Sequence, residues 1–423
     1  MPSSKPARPA ACTVDEFGLA VKGRQSPTLP LVMRRVLALM VLAALAAACT
    51  ATAAPRSVRT TGGDQISFIG DGSRVTFTGL ASRTKVTETV TSTDINGVRW
   101  RLKTKPESDA GGAVVVDDST YAAMSPVTSA PKGAYSWGDA PQDFKVTVAG
   151  VQRTVRRQLL QHTITETTVT SHGLSGTLYE AHLPGRHPAV LLIRGSAGGE
   201  PGLLLPSVIA GYGYPVLALA YFKAPGLPAT LQNVRLEYFR SALEWMAAQP
   251  DIDAKHLFLH GTSRGGEAAL LIGATFPHLV SGVIAVVPSS NVGCGYPDCS
   301  QPAWTLGGKP VPFTRESGVT PPIDDPRAEI AVERITGPVL LSCGEQDQIW
   351  PSCTYAKAVV ARRAAHHLPT ALRDCAACDH DTGGGTVPGE AWSDPSEHAQ
   401  AGRNDAVPFF TATLALLSHV ADR

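Results

Sequence analysis

The stretch Leu257-Phe258-Leu259-His260-Gly261-Thr262-Ser263-Arg264-Gly265-Gly266-Glu267-Ala268-Ala269-Leu270 decides the fold, because an apolar strand runs through Gly-x-Ser-x-Gly straight into an apolar helix. A turn this sharp holds its serine in a strained conformation with the hydroxyl exposed, and positions two before and two after must lack bulk. Gly261 and Gly265 meet that need. The pattern predicts a nucleophile elbow, with a helix from Arg264 to Phe276 stopped by Pro277.

Working outward, Ala189 to Ile193, Tyr214 to Ala220, Val280 to Val287 and Val339 to Ser342 are continuous apolar runs of the kind buried on both faces of a parallel sheet. Helical patterns lie between them at Leu203 to Ala210 and Leu231 to Gln249, and Gly173 to Leu183 reads as an extended hairpin arm. Strand and helix alternate, so the fold class is α/β: a doubly wound α/β-hydrolase sheet over residues 166–423, with its site at the carboxyl ends of the strands. Ser289 to Gly337 carries no clear pattern and sits where such folds insert a cap over the site. Upstream, residues 56–165 hold short strands of alternating polarity, such as Arg74 to Thr78, Val98 to Leu102, Ala113 to Asp117 and Phe144 to Val148. They predict an N-terminal β-sandwich.

A serine hydroxyl is a poor nucleophile until a histidine takes its proton and a carboxylate orients that histidine. In this fold the chain order is Ser, acid, His. The strand Val339 to Ser342 runs into Cys343-Gly344-Glu345-Gln346-Asp347, which makes Asp347 the candidate acid and Glu345 its nearest competitor. A short strand around Ala371-Leu372 leads into the loop holding His380, the candidate base, with His398 as rival. Ile193 to Gly199 follows the third strand, so the backbone amides of Arg264 and of Ser196 or Ala197 are the expected oxyanion donors. Glu267, in the first turn of the elbow helix, is placed to brace the loops around the site, and Trp350 either lines an acyl pocket or packs beside it.

The balance of 37 Lys+Arg against 36 Asp+Glu gives no electrostatic case for nucleic acid, and nothing calls for a cofactor. Met33-Arg34-Arg35 followed by the apolar run Val36 to Ala48 has the form of a secretory signal, too short to span a bilayer comfortably. Residues 1–55 therefore read as a leader, with Met33 the expected start. Leu45-Ala46-Ala47-Ala48-Cys49 resembles a bacterial lipobox, while Ala51-Thr52-Ala53 offers ordinary cleavage. Beyond it Cys294, Cys299, Cys343, Cys353, Cys375 and Cys378 form an even set, suited to disulfides in an oxidising compartment; Cys49 is the odd one, which lipidation or removal would explain. Cys294 with Cys299 is the expected local pair, and the other four stay open. Cys375-x-x-Cys378 beside His380 also permits a zinc or redox reading, but it lacks the ligand count of the one and the context of the other, so no metal is expected. The expectation is an exported protein, membrane-attached through lipid or secreted.

Gly261 to Glu267, Gly344 to Ser352 and Thr93 to Trp100 together resemble the acyl-CoA thioesterase and bile acid-CoA:amino acid N-acyltransferase family. The resemblance implies a β-sandwich joined to an α/β-hydrolase domain. It also implies attack on an acyl thioester by Ser263, with Asp347 and His380 completing the triad. A serine where the aminoacyl-transferring members have cysteine favours hydrolysis over transfer. Coenzyme A thioesters are scarce outside the membrane, so export points instead to a small-molecule oxygen ester or lipid. An exported carboxylesterase of dienelactone-hydrolase or peptidase-like type would keep the same triad, and a non-catalytic envelope lipoprotein would keep the fold alone. Oligomeric state is not legible in the chain.

Overall fold

The computed structural model describes residues 56–59, 65–70, 74–117, 120–121, 123–127, 135–137, 141–157, 162–202, 204–314, 326–381 and 397–421. The leader, with the Met33 signal and Cys49, lies outside the described residues.

Eight strands form the central sheet: β1 (Thr165–Val169), β2 (Gly176–Glu180), β3 (His187–Ile193), β4 (Val216–Leu219), β5 (Ile252–Thr262), β6 (Gly282–Val286), β7 (Val339–Gly344) and β8 (Thr370–Cys375). Their order is β1-β2-β4-β3-β5-β6-β7-β8. β1 and β2 form an antiparallel arm, β2 also runs antiparallel to β4, and every pair from β4 to β8 is parallel. Five helices complete the domain: α1 (Leu204–Gly211), α2 (Leu236–Ala247), α3 (Arg264–Thr275), α4 (Ser352–Ala365) and α5 (Glu397–Ala421).

The period-2 side-chain alternation of a strand explains why those apolar runs are unbroken. Leu191, Leu217, Leu259 and Leu341 point to one core with α2, α3 and α4, whereas Val190, Val216, Phe258 and Leu340 point to the other with α1 and α5. Both faces are covered, and the sheet is doubly wound as the sequence predicts.

The upstream segment forms a four-stranded sheet (Arg56–Arg59, Gln65–Gly70, Val75–Thr78, Val114–Val116) and a five-stranded one (Glu88–Thr93, Arg99–Thr104, Ser125–Pro126, Gln142–Val148, Val151–Arg157). Phe77 and Val116 of the first meet Val90, Trp100, Phe144 and Val146 of the second in one core, separate from the two around the hydrolase sheet.

Two local expectations are corrected. The helix expected from Leu231 begins at Leu236, because Asn233 sits at φ 54° and Val234–Arg235 pairs in parallel with Trp304–Thr305. The described part of Ser289 to Gly337 also has a different place from the one expected. It puts Val292, Trp304, Ile330 and Val332 into the core shared with α2 and α3. Burying those apolar side chains favours packing on the helical face over spanning the site.

Candidate active site

The elbow geometry follows from its glycines. Ser263 holds φ 59° and ψ −123°, a conformation side chains rarely adopt, and its amide donates to the Val286 carbonyl at 2.8 Å. A Cβ on Gly261 would collide with the Gly265 carbonyl, and one on Gly265 would come within 2.6 Å of the Arg194 carbonyl oxygen. Strand, helix and the β3 loop can pack this closely only without those side chains.

Three strand ends deliver the polar chain. Ser263 Oγ lies 2.8 Å from His380 Nε2, and His380 Nδ1 lies 2.8 Å from Asp347 Oδ2. The other Asp347 oxygen accepts the amides of Ile349 at 2.9 Å and Trp350 at 3.1 Å, so the carboxylate is fixed from both sides. The loops carrying acid and imidazole are stitched together: Glu345 N donates to Cys375 O at 3.0 Å and Gln346 N to Cys378 O at 2.9 Å. Burial pushes the Asp347 carboxyl up, but hydrogen bonds from His380 and Ser352 and the Trp350 amide outweigh it and hold it below its ordinary value of 3.8.

The competitors are placed elsewhere. Glu345 pairs with Lys357 at 2.6 Å on the surface, and His398 Nδ1 meets the Ala377 carbonyl at 2.6 Å. His260 is buried within β5, where burial lowers its pKa to about 4 and keeps the ring neutral. Trp350 donates its indole N–H to Val287 O at 3.0 Å and stands edge-on to the His380 ring at 5.3 Å, a packing position.

A cavity of about 350 Å³ opens beside Ser263, lined by Ile193, Ser196, Ala197, Leu205 and His380 among others, and by no residue of the Ser289 to Gly337 segment among the described residues. Arg264 is the first residue of α3 and Ser196 and Ala197 lie in the β3 loop. Among the described residues none of the three amides has a turn or loop hydrogen bond.

Glu267 is fully buried. It accepts the Trp304 indole N–H at 2.8 Å and the Gly293 amide at 3.1 Å, and faces Arg264 Nη1 at 3.1 Å. Arg264 in turn donates to the carbonyls of Gly293 and Cys294 at 3.1 and 2.9 Å. Burial raises the Glu267 carboxyl, opposed by Arg264, Trp304 and Gly293. Trp304 was not singled out by sequence; it sits 37 residues from Glu267, and no spacing rule connects them.

Disulfides join Cys294 to Cys299, Cys343 to Cys353 and Cys375 to Cys378, with Cα separations of 4.9, 5.0 and 5.3 Å. The second spans the Asp347 loop, and the third ends two residues before His380. Both cysteines of the possible zinc motif are thereby committed to each other.

Residues 234–301, which begin just before α2 and run through the elbow, match the family described as BAAT / acyl-CoA thioester hydrolase C terminal. Over this segment the chain is similar to that family. Among relatives, acyl-coenzyme A thioesterase 2, mitochondrial, of Rattus norvegicus is 32% identical over 204 residues, covering 45% of this chain and 44% of that one. Acyl-coenzyme A thioesterase 1 of the same organism is 31% identical, covering 45% and 47%. The chain spans about half the length of the curated relatives it matches. Among solved structures, an α/β hydrolase from a Medee basin deep-sea metagenome library is 16% identical, covers 62% of this chain and 98% of its own, and has a TM-score of 0.42.

Proposed function

We propose that the chain is a serine hydrolase that cleaves small-molecule acyl thioesters or esters through an acyl-enzyme. The observation that carries it is the unbroken Ser263, His380, Asp347 relay at 2.8 Å per step, ending at a cavity that Ser196 and Ala197 help to line. Ser263 Oγ attacks the acyl carbonyl carbon as His380 Nε2 takes its proton; Asp347 holds the ring in the required tautomer and supports the imidazolium. The amides of Arg264 and of Ser196 or Ala197 receive the developing oxyanion. His380 then gives its proton to the departing thiol or alcohol, and water, activated by the same imidazole, releases the acid.

The thioester substrate is favoured by the names of the relatives. An exported carboxylesterase is the second reading, favoured by six cysteines in three disulfides, which persist in oxidising compartments, and by the signal-like sequence after Met33 with its lipobox-like end at Cys49. Fluorophosphonate labelling should modify Ser263 alone. Rates on an oxygen ester and a thioester of one acyl group then separate the two substrates, while intact mass of protein from a native-like host reports whether Cys49 carries lipid. A protein that neither labels nor hydrolyses either substrate would overturn the proposal.

A further inference from the structure

The five-stranded sheet turns alternate residues away from the sandwich core, and on that outer face the chain is unusually basic. Arg99 and Arg101 alternate with buried Trp100, and Lys145 lies between buried Phe144 and Val146. Thr91 is opposite Arg101 on one neighbouring strand and opposite Lys145 on the other, which sets cation, hydroxyl and cation side by side across three strands. These residues, with Thr89 and Arg156, line an open groove of about 1000 Å³. Among the described residues its one lining acid, Asp143, is taken up by Arg156 at 3.2 Å. Arg99, Arg101 and Lys145 have no ion-pair partner among the described residues. Since the whole chain is only +1, the charge belongs to this face and not to the protein at large. Like charges gathered on one sheet face, two strands apart across Thr91, repel one another, and a polyanion laid along the groove would relieve that repulsion.

We propose that this groove binds a strand of acidic polysaccharide, its carboxylates on Arg99, Arg101 and Lys145 and its hydroxyls on the threonines. Two other polyanions fit less well. Single-stranded nucleic acid is held on exposed aromatic platforms, yet the one aromatic among the described residues lining the groove, Trp100, is 2% exposed and gives its indole N–H to Asp94 at 3.0 Å. An anionic membrane surface needs protruding apolar side chains, and here the face forms a groove, with Val127 the one large exposed hydrophobic among the described residues that line it.

Calorimetric titration of the full chain with polygalacturonate tests the assignment, with dextran, a single-stranded DNA oligomer and phosphatidylglycerol vesicles as comparisons. Binding of polygalacturonate alone, weakening as salt rises, is the expected result. The Arg99→Gln, Arg101→Gln, Lys145→Gln variant should bind at least tenfold more weakly with its melting temperature and rate on a small ester unchanged. Lys145→Gln alone, the milder change, should lose about threefold. The inference is overturned if wild type ignores polygalacturonate, if it binds DNA or vesicles more tightly, or if both variants keep full affinity.

Discussion

Each half of the molecule buries a carboxylate against a tryptophan indole, and the two clusters differ in reach. In the sandwich, Asp94 accepts Trp100 Nε1 at 3.0 Å, Asn96 N at 3.0 Å and Val98 N at 2.9 Å, so its short bonds close within one hairpin, and the remote Ser136 amide is a longer partner at 3.5 Å. In the hydrolase, Glu267 accepts Trp304 Nε1 and the Gly293 amide from a segment tens of residues away, and holds Arg264, the residue after the nucleophile. The first fixes a turn. The second ties a long insertion to the first turn of the elbow helix, so that the position of Ser263 depends on contacts remote in sequence. The strained Ser263 and the buried Glu267 and Asp347 gather around the carboxyl ends of β5 and β7.

The contrast is broken most directly at the relay. Ser263→Ala and His380→Ala should each lower hydrolysis by about 10⁴-fold or more while leaving thermal unfolding unchanged, because members of such a unit fail together. Steady-state rates and a melting curve on the same preparations check this; near-normal turnover in either variant removes the site. Asp347→Asn should cost about 10³- to 10⁴-fold, since the amide still fills the space but presents a donor where His380 needs an acceptor. A loss below tenfold would mean that the imidazole is oriented without Asp347.

Stability measurements sharpen the comparison. Glu267→Gln leaves the Arg264 guanidinium buried without its counter-charge and should cost about 3–5 kcal/mol by denaturant titration, with activity falling alongside. Glu88 offers a pH test confined to the sandwich: burial, helped by the charge of Asp117, raises its pKa from 4.5 to about 7. Below pH 4.5 the carboxyl is neutral in both folded and unfolded chains and contributes nothing to the pH dependence. Between 4.5 and about 7 the unfolded chain ionises while the folded one keeps its proton, so stability falls as pH rises and levels off above, by about 3 kcal/mol in all. Glu88→Gln should flatten that slope; an unchanged slope would place the titration elsewhere. Asp94→Asn is the smallest, about 1–2 kcal/mol, because an amide oxygen still accepts the hairpin N–H groups; a cost equal to that of Glu267→Gln would erase the distinction between local and remote clamps.

The sequence by itself determined the α/β class, the alternation of strands with helices and the elbow, because these rest on short-range rules: side-chain period, the steric need for glycine, and helix stop signals. It also narrowed the polar candidates to Asp347 and His380 by their positions just past strand ends. Tertiary structure decided what no local rule reaches. It set His380 against Ser263 and gave His398 to a loop carbonyl. It paired four cysteines whose spacing left the partners open, and turned the expected cap onto the helical face. Arg363 shows the reason most clearly. In the last turn of α4 it reads as a solvent-facing cation, yet it is wholly buried, with bonds to the carbonyls of Val332, Ile335, Gly337 and Pro369 and to Thr370 Oγ1. Burial lowers its pKa to about 10, and the guanidinium replaces lost water with acceptors from two separate segments, Val332 to Gly337 and Pro369 to Thr370. That exchange exists only once those segments have met, so it is written in the fold and not in the neighbourhood of the residue.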